Sequence, residues 1–154
     1  MCSSDLKAAD PIRPSLTPRV PYRFFPPSLY AGGPSRVVPL DLSAELKTEG
    51  PATGPGLCAN FIRLVKGDSL LVDPVATSMV FYVLKGSGSV LQGDDRIDFA
   101  KGDFFTLPGD VGAVLSATAD AALYYVNDAP LLRYLGVRPD RARFRPTLYK
   151  AARA

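Results

Sequence analysis

The chain has 154 residues, 47% hydrophobic and 21% charged, with a net charge of +3, 15 prolines, 13 glycines, two cysteines and no histidine. A chain of this length fits one domain, and folding at this size hides roughly 68–70% of the surface the unfolded chain exposes, so a full core needs no staples. Without imidazole there is no Ser-His-Asp or Cys-His nucleophile pair, no HExxH zinc helix, no two-His-one-carboxylate iron site and no His-ligated haem.

Cys2 and Cys58 cannot form a Cys-x-x-Cys pair and are too few for a disulfide framework or a four-thiolate zinc site. They fit a reducing compartment, with Cys58 read as a buried spectator thiol. The N-terminus lacks an apolar signal core, and no stretch approaches the ~18 uninterrupted apolar residues of a membrane span. A cytoplasmic location with no membrane partner is expected.

Residues 2–6, Cys-Ser-Ser-Asp-Leu, read like a translated sequencing adapter and are set aside, so the natural N-terminus is expected to be missing. Ten of the 15 prolines lie at or before Pro55, a density of missing N–H donors hostile to helices and central strands alike. Residues 1–35 are therefore expected to form a Pro-rich extended arm. Its aromatics, Tyr22, Phe24, Phe25 and Tyr30, argue against free disorder and for a seat on a barrel or a partner.

From Arg36 short apolar runs alternate with Gly, Asp and Pro, the spacing of an all-β sandwich or barrel. Strands are expected at 37–42, 58–66, 69–73, 79–85, 89–92, 96–99, 103–107, 113–117 and 121–126, with turns at Gly86-Ser87-Gly88 and Gly93-Asp94-Asp95. A barrel over 36–128 is the result. Residues 129–135 suit a short C-terminal helix with Pro130 early and Gly136 as its stop. The remainder to 154 is a basic tail or linker. Residues 1–56, 57–128 and 129–154 carry +1, −4 and +6, and no nucleic-acid motif accompanies the basic end. Nucleic acid is not an expected partner.

Residues 67–117 resemble the cupin superfamily in spacing. The first cupin motif runs Gly, five residues, His, one, His, three or four, Glu, six, Gly. From Gly67 that spacing falls on Asp73, Val75, Met79 and Gly86, with Val-Phe-Tyr-Val-Leu at 80–84 similar to the family's strand. The second motif, from Gly102, keeps Pro108 but has Asp110 for Gly, Ala113 for His and Ala117 for Asn. Lys101-Gly102-Asp103 and Leu107-Pro108-Gly109-Asp110 strengthen the match. The resemblance implies a double-stranded β-helix, a jelly-roll-like barrel. The segment Asn127-Asp128-Ala129-Pro130-Leu131-Leu132-Arg133 further resembles the one following the barrel in gentisate 1,2-dioxygenase-like two-cupin proteins.

In the family, three imidazoles and one carboxylate hold Fe, Mn, Ni or Zn inside the barrel. Here the frame stays and the ligands go, leaving Asp73 alone, so no metal and no other cofactor is expected. Met79 is read as core packing rather than a soft copper ligand. Metal-independent members that use a His base with a Tyr acid are likewise not matched. No catalytic residue is assigned. The ligand-pocket candidates are Arg63, Asp73, Val75, Met79, Phe81, Tyr82, Ala113 and Tyr125. Val75, Met79, Phe81 and Ala113 are expected to line the lumen, with Asp73 or Arg63 at its mouth. Only one of Tyr124 and Tyr125 can face inward, and the facing of Arg63 stays open. The plainer assignment for each is a barrel-wall side chain or a surface charge, since small barrels fill their interiors.

Two readings follow. The chain is a non-catalytic structural or interface half beside a second, metal-binding cupin domain, or it is a stand-alone metal-independent small-molecule binder or enzyme. Any dioxygenase chemistry would sit in the partner domain. A homodimer is the other partner considered, because exposed sheet edges need cover.

Overall fold

The computed structural model describes residues 19–152. Residues 1–18 of the expected arm, with Cys2 and the adapter-like segment, lie outside the described residues, as do Arg153 and Ala154 of the tail. In chain order the elements are α1 (Ser28–Ala31), β1 (Arg36–Pro39), α2 (Ser43–Leu46), β2 (Cys58–Leu64), β3 (Ser69–Val72), β4 (Ser78–Gln92), β5 (Asp95–Ala100), β6 (Phe104–Pro108), β7 (Ala113–Asn127), α3 (Ala129–Leu135) and β8 (Thr147–Tyr149).

Two 15-residue strands, β4 and β7, form an antiparallel spine. They pair from Met79↔Asn127 to Val83↔Leu123, and again from Gly88↔Ala117 to Leu91↔Val114, with register shifts between Val83 and Gly88. The first half of the spine belongs to the sheet β1-β2-β7-β4-β6-β8. Along the second half, β3 pairs with β7 and β5 with β4. The inward faces of both halves share one core that runs from Ile62 and Leu64 through Phe81, Val90 and Phe99 to Leu123. The fold is all-β, a double-stranded β-helix.

Gly86-Ser87-Gly88 was expected to be a turn between two strands; it is instead a bulged crossing within one. Gly86 has φ +81, and a Cβ there would run into the Asp120 carbonyl oxygen and Ala121 of β7. Glycine supplies the positive φ and the close approach that let β4 bend from one sheet to the other. Thr118 to Asp120 does the same for β7, so the expected runs 113–117 and 121–126 are one strand. Two fusions and one addition turn nine expected strands into eight among the described residues.

The arm also differs from expectation. Residues 19–26 carry no regular structure, but Ser28–Ala31 closes a helical turn, with the Leu29 and Tyr30 N–H groups donating to Pro26 and Pro27 carbonyls. Prolines just before a helical turn lose nothing, because N–H groups there have no intrahelical acceptor. The tail is not a free linker either. Thr147–Tyr149 pairs with β6, and the Ala151 N–H donates to Asp103 Oδ1 at 2.9 Å. The short C-terminal helix forms as expected, with Pro130 in its first turn and Gly136 closing it in the left-handed conformation.

Candidate functional site

The strand register lines up rings across neighbouring strands into a stack of four. Phe81 pairs with Tyr125 on β7 and Phe105 on β6, stacking on each at 4.6 Å between centroids, with planes 8° and 9° apart. Phe105 stacks in turn on Phe99 of β5 at 5.4 Å. Each such pair contributes about 0.5–1.5 kcal/mol beyond the area it buries. With Met79, Leu107, Ala113 and Leu115 wholly buried around it, the stack fills the interior.

A hollow opens at the Tyr125 end of the stack. A cavity of about 570 Å³ at the barrel mouth is bounded by Cys58, Asn60, Tyr125 and Asn127 at the ends of β2 and β7, by Leu71 to Val75 at and beyond the end of β3, and by Leu132, Arg133, Val137 and Arg138. Local chemistry holds these walls. The Thr77 N–H and hydroxyl both donate to the Asp128 carboxylate, tying the segment before β4 to the start of α3. Ala129 N–H donates to Asn127 Oδ1 at 3.0 Å, and Asn60 Nδ2 donates to the Tyr125 carbonyl at 3.2 Å. Arg133 is steadied by donating to the Pro51 carbonyl at 3.0 Å.

The inner end of the cavity disfavours charge. Burial drives the Tyr125 phenol above its ordinary value of 10.0, against a weaker opposing hydrogen bond with Asn127. Burial also pushes the Cys58 thiol above 9.0, and its Sγ lies 3.8 Å from Asn60 Oδ1. Both groups are neutral at neutral pH. Charge sits at the rim, on Asp73, Arg133 and Arg138. The arrangement suits an apolar body with an anionic end turned outward.

The eight candidate residues separate into three places. Met79, Phe81 and Ala113 are buried in the filled core rather than lining an open lumen. Asp73, Val75 and Tyr125 line the mouth cavity, Val75 at 37% exposure on its rim and not inside the barrel. Arg63 and Tyr82 are on the outer face. Arg63 is not at the mouth: its Nε donates to the Gly33 carbonyl at 2.7 Å and its Nη1 to that of Tyr30 at 3.4 Å, pinning the arm. Period-two alternation with the buried Ile62 and Leu64 carried that signal. Of the two adjacent tyrosines, Tyr125 faces in and Tyr124 out. Asn60, Asn127 and Arg138 had no local signal, because the β2–β7 register brings the two asparagines together and the stretch after α3 brings Arg138 to them.

The metal that this fold family implies does not fit these residues. The positions corresponding to its donors hold one carboxylate, two hydrocarbons and a thioether sealed in the core. Among the described residues no group of three or more His, Cys, Asp or Glu side chains is placed to hold a metal ion. Nor is any helix among them long and apolar enough to cross a membrane.

A barrel on two long bent strands, with left-handed glycines at 67, 86 and 102, gives the chain the cupin fold. Among solved structures, a cupin 2 conserved barrel domain protein from Leptotrichia buccalis superposes with a TM-score of 0.53 at 13% identity, over 68% of this chain and 46% of that one. More similar in sequence is salicylate 1,2-dioxygenase from Pseudoaminobacter salicylatoxidans. Its gentisate adduct gives a TM-score of 0.57 at 26% identity, over 69% of this chain and 28% of that one. A mutant form of the same enzyme gives 0.52 at 32% identity, over 56% of this chain and 25% of that one. The chain thus spans between a quarter and a third of the dioxygenase's length. No family model and no curated protein matches the chain.

Proposed function

We propose that the chain is the non-catalytic half of a two-cupin, dioxygenase-like protein, a barrel kept for structure and assembly. One observation carries this reading: where the family gathers four donors, this chain has Asp73, Val75, Met79 and Ala113, the last two wholly buried. A single carboxylate does not retain Fe, Mn, Ni or Zn against water, because such sites depend on several converging N, O or S ligands. Dioxygenase activity would then need a second barrel that binds metal, and the dioxygenase's greater length leaves room for one. The free thiol Cys58 is in keeping with a reducing cytoplasm. The test is elemental analysis of the purified chain after incubation with each metal and desalting. The expected content is far below one ion per chain, and a stoichiometric ion would overturn the reading.

The mouth cavity favours a second reading, a metal-independent binder of small molecules. Its volume of about 570 Å³ lies within the roughly 300–1,000 Å³ range of ligand pockets, and apolar walls with few polar groups are their usual form. Aromatic acids and nucleotide sugars tested by thermal shift would decide it. A rise in melting temperature that Arg138→Ala abolishes supports binding at the mouth; a flat response to every compound removes this reading.

A further inference from the structure

Gln92 ends β4 with its side chain buried, 6% exposed. Its Nε2 spends both N–H groups, donating to the Pro108 carbonyl at 2.7 Å and the Val111 carbonyl at 2.8 Å. Turning the amide over would set Oε1 against two carbonyl oxygens, so its orientation is fixed. Oε1 is then left buried without a hydrogen-bond partner, and it is the one such side-chain atom among the described residues. Buried acceptors are nearly always satisfied, so an orphan of this kind calls for a donor.

Gln92, Pro108 and Val111 share the wall of a hollow of about 310 Å³ with Phe144, Arg145 and Pro146, which precede β8. The turn from β4 into β5 adds Asp94 and Asp95, and the connection after β6 adds Asp110. Against these three carboxylates the hollow has one cation, Arg145, already committed to Asp95 at 2.9 Å. Negative charge thus surrounds an unmet acceptor. The chemistry is not that of a hard metal ion, which needs several converging oxygens. Among the described residues no three carboxylates are placed to supply them, and proline, valine and phenylalanine carbon makes up much of the wall.

We infer that this hollow binds a small aliphatic amine, whose ammonium donates to Gln92 Oε1 and stands beside Asp94 and Asp110 while its methylene stem lies along Val111, Phe144 and Pro146. An ammonium meets each demand at once: it carries donors only, and its charge strengthens every bond it makes to a carboxylate. The volume, at the lower end of the roughly 300–1,000 Å³ of small-molecule pockets, suits a short stem. Side chains of the exposed Asp110–Val111 tip move aside to admit it, as contact side chains commonly do on binding. The hollow shares no lining residue with the mouth cavity and includes none of the four donor positions, so the inference is independent of both readings above.

An NMR titration of the full, isotopically labelled chain at low salt tests it, with butylamine as the probe, neutral butanol as its control and calcium chloride as the metal alone. The signals of the Gln92 carboxamide should shift saturably with butylamine and stay in place with butanol. Asp94→Asn combined with Asp110→Asn, both on exposed turns, should weaken the amine's binding at least about fivefold. Should the pair fail to fold by circular dichroism, Asp94→Asn alone replaces it. Gln92 signals that ignore butylamine overturn the proposal, including the case in which residues 1–18 already occupy the hollow. So do an equal response to butanol, a stronger one to calcium, or an affinity that the asparagine variants leave unchanged. None of these outcomes alters the metal analysis that tests the non-catalytic reading.

Discussion

Met79 stands at the resembling family's carboxylate position and behaves as hydrocarbon, wholly buried beside the ring stack. Its worth is shape. Met79→Leu should change stability by less than about 1.5 kcal/mol, and Met79→Ala should cost about 2–5 kcal/mol. Met79→Glu should cost at least as much as Met79→Ala, since a carboxyl group there is desolvated without a cationic partner. Urea denaturation of the three variants checks the order, and a damaging Leu beside a benign Glu would refute the packing role. Tyr125 yields a pH dependence. The fold holds its phenol protonated more firmly than the unfolded chain does, its value being raised by burial above 10.0. Its contribution to stability is complete below that unfolded value and lost as pH rises through the higher folded one. Melting temperatures measured from neutral into alkaline solution should therefore fall less steeply for Tyr125→Phe than for the native chain.

Among the elements, β8 is held by its pairing with β6 and, just past its end, by a buried carboxylate. Asp103, 1% exposed, accepts from the Ala100 N–H at 2.9 Å and from the Ala151 N–H at 2.9 Å, fastening the turn before β6 and the end of the tail to one point. Asp103→Ala strands both donors and should cost about 1–3 kcal/mol. Limited trypsin digestion should then cut sooner at Arg143 and Lys150 than at Arg96, which an undisturbed tail would not show. Much of this level could be read in advance. Gly67, Gly86 and Gly102 all adopt positive φ, and Pro130 and Gly136 bracket α3. What could not be read was whether Gly86-Ser87-Gly88 turned the chain back or carried it through a bulge, since both need glycine and only the partner strand decides. The mouth cavity was hidden for the same reason. It arises when Asp128 captures Thr77, 51 residues earlier in the chain, and no local pattern announces that contact.

For the molecule as a whole, the spine sets the order of opening. β4 and β7 serve both sheets, whereas among the described residues β8 pairs only with β6 and β3 only with β7. Amide hydrogen exchange should accordingly be slowest at Phe81, Val83, Leu115 and Leu123, and fastest among strands in β8. Early exchange along β4 would mean that the two halves open separately.

The stack of Tyr125, Phe81, Phe105 and Phe99 also bears on what the core could accommodate. An imidazole introduced at Ala113 would enter side chains already at close-packed density, where surplus volume is as costly as a void. Building a chelating centre there would need both room in the core and the missing donors, and each enlargement of a wholly buried position is expected to cost about 1–3 kcal/mol. The aromatic column therefore opposes chelation through packing as well as through the lack of donors.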